Sequence, residues 1–325
     1  MPDITFEHVT KRFSGARAPA VDDISFNVPS GETCVLLGTS GSGKTTLLRM
    51  VNRLSDPTSG RVLIDGVPTE AQDPIALRRR IGYVIQQVGL LPHLTVAENV
   101  RIVPSITGDR SEATRRRMDE LLKLVGLPPD EYRQRYPAQL SGGQAQRVGL
   151  ARALAADPST LLMDEPFGAL DAITRQRLQD ELLRIQREMH KTILFVTHDV
   201  EEAFKLGDRI AVITGGRLEQ IGSPVELLAA PATPFVSRLV GAENIVRQFE
   251  YLPATTAIEP GAPPDSSFER IPASEKLLPA LLRLIRSGQR ALAVEEGGQV
   301  RGVVTLASIS RAIHERSDVH SENQS

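Results

Sequence analysis

The sequence is poor in cysteine. Cys34 is the only cysteine among 325 residues, so no disulfide can form within the chain, and this indicates a reducing compartment. Cys34 begins the apolar run Cys34–Leu37, which precedes a glycine-rich segment. A cysteine in such a run is expected to be a buried strand residue rather than a reactive thiol.

Long apolar segments are also missing. No run approaches the roughly 18 residues that span a bilayer, and the segment Met1–Phe13 lacks the apolar stretch of a secretion signal. We therefore expect a cytosolic protein that reaches a membrane only through a partner. The formal net charge of −2 gives no general attraction to nucleic acid. The basic runs Arg78–Arg80 and Arg115–Arg117 are interpreted as solvated helix faces.

Apolar periodicity predicts an α/β fold. Ile24, Phe26 and Val28 alternate with polar neighbours, as in a half-buried strand. Cys34–Leu37 has the length and apolar character of a central strand. Farther along, strand-like runs such as Thr192–Thr197 alternate with helical patterns, which predicts a largely parallel, doubly wound sheet.

Changes in composition predict the domain organisation. The main domain is expected to cover residues 1–245, with a helical insertion at about 88–157. Residues 246–265 are interpreted as a linker, since Pro253–Pro264 is rich in Pro, Thr, Ala and Gly. A small α+β module follows at 266–314, with a hairpin turn at Gly297-Gly298. The polar residues 315–325 are expected to be disordered.

Gly38–Thr45 reads GTSGSGKT, the pattern of a phosphate-binding loop between a strand and a helix. Polyphosphates are bound there by backbone N–H groups at a helix N-terminus, and glycines leave room for that approach. Lys44 should reach the β- and γ-phosphates and Thr45 should ligate Mg²⁺; the alternative is a simple glycine-rich turn. The expected phosphate-binding residues are Gly38, Thr39, Ser40, Gly41, Ser42, Gly43, Lys44, Thr45 and Thr46.

Two acids follow the apolar strand Leu161–Met163. Asp164 stands at the strand end, where a carboxylate can hold Mg²⁺ through water. Glu165 is next to it, and adjacent acids at such a position are costly unless a cation or a substrate needs them.

A further motif, LSGGQAQRV, occupies Leu140–Val148. Ser141 and Gln144 have the spacing of a capping box at a helix start. Capping alone does not explain Gly142 and Gly143, which cost a helix about 1 kcal/mol each. Exposed N–H groups at this helix start are therefore expected to bind a γ-phosphate.

The order of the motifs GTSGSGKT, LSGGQAQRV, LLMDEPFGALD and TH resembles the ATP-binding cassette (ABC) ATPases. The resemblance implies an ABC-type P-loop NTPase fold with an N-terminal antiparallel β-subdomain, and ATP and Mg²⁺ as ligands. In this family Glu165 would orient or deprotonate the attacking water. The γ-phosphate at Ser141 would belong to the partner subunit, so the resemblance implies a homodimer with two ATP molecules at its interface.

Four further residues are assigned through this resemblance. Phe13 would stack on adenine, unless it is a core residue. Gln86 would sense Mg²⁺ and the transport partner, with Gln87 as the adjacent alternative. Asp171 would couple the two sites of the dimer. His198 would contact the γ-phosphate and act in catalysis with Glu165, Gln86 and Lys44, although an isolated histidine is more often structural.

The segments VNRLSDPTSGRVLIDG and THDVEEAFKLGDRIAVI further resemble ATPase subunits of osmoprotectant importers for glycine betaine, carnitine and choline. The likeness covers about residues 1–245. It implies a peripheral protein on the cytoplasmic side of the cell membrane, bound to permease subunits and indirectly to a substrate-binding protein. The alternatives are an amino-acid or sugar importer ATPase and a non-transport ABC protein; a stand-alone P-loop kinase would not explain Leu140–Val148.

Arg290–Ile313 resembles the second half of a cystathionine-β-synthase (CBS) motif. One such unit is visible, whereas these modules usually work in pairs, so pairing could occur across the dimer. Ser308 stands where nucleotide-binding CBS units commonly have aspartate, so adenine nucleotides are not expected here. The alternatives are a structural appendage and a charged module that responds to ionic strength.

Overall fold

The computed structural model describes residues 2–86, 89–109, 111–259 and 268–312. The chain divides into two compact units, Met1–Ile221 and Gly222–Ser325. The boundary therefore lies nearer the N-terminus than the expected position at 245. The alternative Gln87 and the expected disordered tail at 315–325 lie outside the described residues.

Ten strands and nine α-helices are described between Ile4 and Gly222. The strands are β1 (Ile4–Lys11), β2 (Val21–Val28), β3 (Thr33–Leu37), β4 (Ser59–Ile64), β5 (Val67–Pro68), β6 (Ile81–Val84), β7 (Thr160–Asp164), β8 (Thr192–Thr197), β9 (Arg209–Thr214) and β10 (Arg217–Gly222). The helices are α1 (Lys44–Val51), α2 (Pro74–Arg80), α3 (Val96–Val100), α4 (Ile102–Ile106), α5 (Glu112–Leu124), α6 (Pro129–Tyr132), α7 (Gly142–Leu154), α8 (Ala172–Met189) and α9 (Val200–Leu206).

The N-terminal strands form an antiparallel sheet in the order β2-β1-β4-β5. Ile24, Phe26 and Val28 of β2 are buried with the predicted period of two, and so are Ile4 and Phe6 of β1. The period breaks at a register shift between Phe6 and Val9. Phe6 and Phe26 face each other in register, with ring centroids 4.6 Å apart. This sheet agrees with the β-subdomain implied by the resemblance.

The central sheet has the order β10-β9-β3-β8-β7-β6. The pairs β9–β3, β3–β8, β8–β7 and β7–β6 are parallel. All residues of β3, β7 and β8 are buried, which explains their continuous apolar sequences. Cys34 lies in β3 and is fully buried, which raises the pKa of its thiol to about 12 because burial disfavours the thiolate.

Between β6 and β7, the described residues of the range 96–154 include five α-helices, α3 to α7. Capping boxes start α3 at Thr95 and α7 at Ser141. The inner faces carry buried residues such as Met118, Leu121 and Leu122 of α5. This segment corresponds to the expected helical insertion.

The second unit contains α10 (Pro224–Ala229), α11 (Pro234–Val240), α12 (Ile245–Tyr251), β11 (Arg270–Pro272), α13 (Leu277–Ser287), β12 (Leu292–Glu296) and β13 (Gln299–Val304). Residues 306–312 are also helical. The strands form a sheet in the order β11-β12-β13, and the β12–β13 hairpin turns at Gly297-Gly298, both with positive φ, as predicted.

Part of the expected linker is ordered structure. Ala254–Ala257 is a 3₁₀ helix in which Ala254 and Ala257 are buried. Glu259 forms a main-chain bridge with Val303 of β13. The small residues of this segment therefore pack closely against the module rather than only connecting it. No helix within the described ranges has both the length and the apolar character needed to cross a membrane.

Candidate active site

The Gly38–Thr45 loop connects the end of β3 to the start of α1. Gly43 has φ +102°, and a Cβ there would lie 2.3 Å from the carbonyl oxygen of Ala20, so only glycine fits. The buried ammonium of Lys44 donates to the carbonyl oxygens of Gly38 (2.8 Å) and Thr39 (2.7 Å). Burial lowers the pKa of Lys44. The loop is thus wrapped around one cation.

The tip of this loop faces solvent. Thr39, Ser40 and Gly41 are exposed, whereas Ser42 is buried beneath them. A Cβ built on Gly41 would meet no atom within 4 Å, so open space lies above this point of the loop. The loop can therefore accept an anion from the solvent side, next to the Lys44 ammonium.

Asp164 ends β7 and is almost fully buried. Its Oδ1 accepts a hydrogen bond from the Thr45 hydroxyl at 2.9 Å, which joins the second motif to the phosphate loop. Its Oδ2 is buried, with no hydrogen-bond partner among the described residues. Burial raises the pKa of this carboxyl group. An unpartnered buried carboxylate oxygen beside a hydroxyl is a suitable donor set for Mg²⁺.

Glu165 lies between two side chains that come from neighbouring strands. Its Oε2 accepts a hydrogen bond from Gln86 Nε2 at 2.9 Å, and its Oε1 lies 3.1 Å from His198 Nδ1. Gln86 follows β6 and His198 follows β8, and both strands run parallel to β7 beside it. Three residues predicted to act in catalysis are thereby brought together at the carboxyl edge of the sheet.

Ser141 and Gln144 form the complete capping box at the start of α7. Ser141 Oγ accepts from the Gln144 N–H at 3.2 Å, and Gln144 Oε1 accepts from the Ser141 N–H at 2.9 Å. Ser141 and Gly142 are exposed, and a Cβ on Gly142 would meet no atom within 4 Å. Ser141 and Gln144 bond each other rather than the Lys44 loop of the same chain. The motif therefore caps α7 and also presents an open surface.

Asp171 caps a helix, and Phe13 is exposed. Asp171 is the N-cap of α8 and accepts a hydrogen bond from the Thr174 N–H at 2.9 Å, which lowers the pKa of its carboxyl group. Phe13 is 49% exposed, so it is not a core residue. Its ring lies 5.3 Å from Lys11 Nζ and is accessible for stacking.

Sequence reasoning missed several supporting residues. Glu202 on α9 is buried and accepts hydrogen bonds from Thr197 (2.8 Å) and from Gln179 of α8 (3.3 Å). Burial raises the pKa of the Glu202 carboxyl group. Because Thr197 precedes His198, this network ties the histidine segment to α8. The sequence signal that could have identified Glu202 is the position of an acid on the apolar face of α9.

Tyr132 and Gln146 were also missed. The Tyr132 hydroxyl accepts a hydrogen bond from Gln144 Nε2 at 3.1 Å and so supports the start of α7. Gln146 is buried and donates from Nε2 to the backbone carbonyl of Glu165 at 3.1 Å. Both contacts join segments distant in sequence, and no local pattern predicts them.

Residues 21–168 match the model of the ABC transporter family. The chain is 50% identical over 248 residues to the osmoprotectant import ATP-binding protein OsmV of Salmonella typhimurium, covering 75% of this chain and 65% of that protein. It is 42% identical over 308 residues to the carnitine transport ATP-binding protein OpuCA of Listeria monocytogenes, covering 94% of this chain and 76% of that one. The chain belongs to the ATP-binding proteins of ABC transporters.

Solved structures agree with this assignment. The ABC protein superposes on the dimeric structure of a bacterial ABC transporter cassette with a TM-score of 0.64 and 37% identity, covering 68% of this chain and 98% of that chain. A second structure of a cassette dimer, in a post-hydrolysis state bound to ADP and Pi, gives a TM-score of 0.63 and 36% identity over the same fractions. The predicted P-loop NTPase fold of the ABC type is confirmed.

The similarity to osmoprotectant-importer ATPases is also confirmed, at the level of sequence. The match spans 64–65% of the length of OsmV and of the glycine betaine/carnitine/choline transport protein of Bacillus subtilis. The 308 residues matched in the Listeria protein exceed the length of the first unit, so that similarity extends into the second unit of this ABC protein.

Proposed function

We propose that this ABC protein hydrolyses ATP and thereby drives uptake of quaternary-amine osmoprotectants through a membrane permease. One observation carries the enzymatic part: the Glu165 carboxylate lies between Gln86 (2.9 Å) and His198 (3.1 Å), next to Asp164 and the phosphate loop. This arrangement supplies a cation, a metal-binding acid and a second acid at one edge of the sheet.

The roles of the residues follow from their chemistry. The N–H groups of the loop Gly38–Thr46 and the Lys44 ammonium bind the phosphates and offset their charge. Glu165 orients the attacking water and accepts its proton, and general-base help of this kind is worth about 10²–10⁴ in rate. Gln86 and His198 hold the Glu165 carboxylate, and in the proposed complex His198 also contacts the terminal phosphate. Phe13 stacks on the base.

Thr45 and Asp164 would hold Mg²⁺, with Gln86 near it. The unpartnered Oδ2 of Asp164 and the raised pKa of its carboxyl group support this assignment, since a cation would stabilise the ionised acid. When bound, Mg²⁺ would neutralise phosphate charge in the transition state.

The proposed active assembly is a homodimer. Gly142 and Gly143 present N–H groups at the start of α7 beside the Ser141 hydroxyl, and Ser141 and Gly142 are exposed there. In the proposed dimer they bind the nucleotide held by the partner's loop, and Asp171 lies beside the shared interface. The dimeric cassettes among the solved relatives support this arrangement.

The transport role is supported by the named relatives. They include import ATP-binding proteins for osmoprotectants, for glycine betaine, carnitine and choline, and for carnitine. Identity to sulfate/thiosulfate import ATP-binding proteins is 46%, against 50% for the first two osmoprotectant proteins and 42% for the carnitine protein. The match to the carnitine protein covers 94% of this chain, against 74–75% for the sulfate proteins. The proposed location is the cytoplasmic side of the membrane, on permease subunits that receive solute from a binding protein. The CBS-like module is proposed to regulate transport.

Two measurements test the proposal. Purified protein should hydrolyse ATP in the presence of Mg²⁺, and Lys44→Ala should abolish the activity; absence of Mg²⁺-dependent hydrolysis in the wild-type protein would remove the enzymatic assignment. Uptake of labelled glycine betaine, carnitine and choline should then be measured in cells that contain the protein and its permease. Uptake of sulfate but of no quaternary amine would reject the proposed substrate class.

A further inference from the structure

The backbone of Glu165 has an unusual conformation. Its φ is +47°, in the left-handed region that non-glycine residues seldom adopt. Its N–H donates to the Val196 carbonyl of β8 at 3.0 Å, and its own carbonyl oxygen accepts from the Gly168 N–H at 3.3 Å. Such conformations persist where surrounding contacts hold them in place. The direction of the Glu165 side chain therefore depends on the partners of its backbone.

Gln146 supplies a further contact of this kind. Its Nε2 donates to the Glu165 carbonyl oxygen at 3.1 Å, and its side chain is only 3% exposed. A buried amide that donates to a backbone carbonyl fixes that carbonyl's orientation, because no water is available to replace the bond. Rotation of this carbonyl would change ψ of Glu165, the angle that sets the direction of its Cα–Cβ bond relative to the segment that follows.

Gln146 belongs to α7, the helix that begins at the exposed residues Ser141 and Gly142. The first turn of this helix packs directly on the loop that follows Glu165. A Cβ built on Gly143 would lie 3.3 Å from the Ala169 carbonyl oxygen. The start of α7 and the segment that carries Glu165 therefore lie in direct contact, and Gln146 is a polar bond between them.

We propose that Gln146 is a positioning residue for hydrolysis, which ties the backbone of Glu165 to α7 of the same chain. The inference rests on the proposed ATPase function. In the proposed dimer the start of α7 contacts the partner's nucleotide, whereas Glu165 serves the nucleotide of its own chain. The Gln146 bond is therefore a direct link between the two sites.

The test replaces Gln146 by methionine, which has a similar shape but no donor. Gln146→Met should lower kcat for ATP at least tenfold and leave the ATP dissociation constant within twofold of the wild-type value. Gln146→Glu, which puts an acceptor where the donor stood, should lower kcat at least as much. Circular dichroism and thermal melts establish whether both variants are folded at the assay temperature. If one variant is unfolded, the kcat of the other is compared with that of the wild type.

Gln186→Met is the matched control. Gln186 is also a buried glutamine, and its Nε2 donates to the backbone carbonyl of Gly31, away from the acids. The control should keep kcat within twofold. Equal losses in the Gln146 and Gln186 variants would indicate general destabilisation and overturn the proposal, as would a Gln146→Met protein with wild-type kcat.

A double substitution tests whether Gln146 acts through Glu165. In single-turnover reactions, Gln146→Met should add less than a twofold loss in a Glu165→Gln background. The full tenfold loss in that background would show that Gln146 acts elsewhere. Failure of the proposed function is distinguishable, because the wild-type protein itself would then show no hydrolysis.

Discussion

Glu165 and His198 lie at the ends of the adjacent parallel strands β7 and β8, with Glu165 Oε1 3.1 Å from His198 Nδ1. The other carboxylate oxygen of Glu165 accepts a hydrogen bond from Gln86, which follows β6. The acid is therefore held from both sides by residues that the sheet brings together. Its orientation therefore depends on the register of three strands as well as on the partners of its backbone.

Substitution of Glu165 by glutamine tests its role as the general base. Glutamine keeps the size of the side chain but cannot accept the proton. We expect nucleotide binding to persist and hydrolysis to fall by a factor of at least about 10². Because hydrolysis no longer separates the subunits, ATP should also trap a dimer, measurable by light scattering. Hydrolysis near the wild-type rate would exclude Glu165 from this role.

Ser141→Arg tests the composite site. Arginine places bulk and charge at the exposed start of α7 and leaves the Lys44 loop of the same chain unchanged. We expect turnover to be lost while monomers still bind labelled ATP. Ser141→Ala is the control, since it removes the cap at a cost of about 0.5–2 kcal/mol without adding bulk. Full hydrolysis by the arginine variant would contradict the shared site.

Asp164→Asn should separate stability from activity. The folded state raises the pKa of Asp164 because burial disfavours its charge, so the ionised acid destabilises the nucleotide-free fold. The variant should therefore melt higher at neutral pH, by about 2–4 °C for each 1 kcal/mol gained. Its Mg²⁺-dependent hydrolysis should be lost.

The pH dependence of this difference has a definite sign. Below about pH 3.9, the ordinary pKa of an unfolded aspartate, Asp164 is protonated in the folded and the unfolded state. The increase in melting temperature of Asp164→Asn over the wild type should therefore vanish there. It should grow as the pH rises through the raised pKa of Asp164 in the folded state. Asp130→Asn, at a fully exposed side chain, is the control and should leave the melting temperature unchanged. A lower melting temperature for Asp164→Asn at neutral pH would contradict the argument.

The sequence predicts those parts of the site that local patterns determine. The Lys44 loop needs glycines in a fixed order, and Gly43 lies where a Cβ would meet Ala20. Asp164 and Glu165 follow a continuous apolar run, which places both acids at the carboxyl edge of the sheet. In contrast, the bonds from Gln146 to Glu165 and from Gln179 to Glu202 join residues brought together only by folding. In the sequence, Gln146 and Gln179 cannot be distinguished from glutamines on the exposed surface of a helix.

The same limit applies to the fold. The parallel orientation of β3, β7 and β8 follows from their apolar runs and the helices between them. The segment Pro253–Pro264 has the composition of a linker, yet Ala254 and Ala257 are buried and Glu259 pairs with Val303. Small residues suit a flexible connection and close packing equally well, so composition alone could not separate the two.

The arginines of the second unit differ in whether they form ion pairs. Arg283 pairs with Glu269 and Glu275, and Arg301 pairs with Glu296, so these arginines are engaged within the module. Arg286 and Arg290 are exposed, and the ion pairs found among the described residues do not include them. They are therefore the charges best placed to attract an anionic surface, such as lipid.

Such attraction weakens with salt, since the screening length falls from about 10 Å at 0.1 M to about 3 Å at 1 M. If it restrains transport at low salt, reversing both charges with Arg286→Glu and Arg290→Glu should activate uptake at lower ionic strength. ATPase activity should not change, because every catalytic residue lies in the first unit. Arg115→Glu with Arg116→Glu, an equal charge change on the exposed face of α5, is the control. The measurement is uptake by membrane vesicles across a salt series, and identical activation curves for all three proteins would place the salt response outside this module.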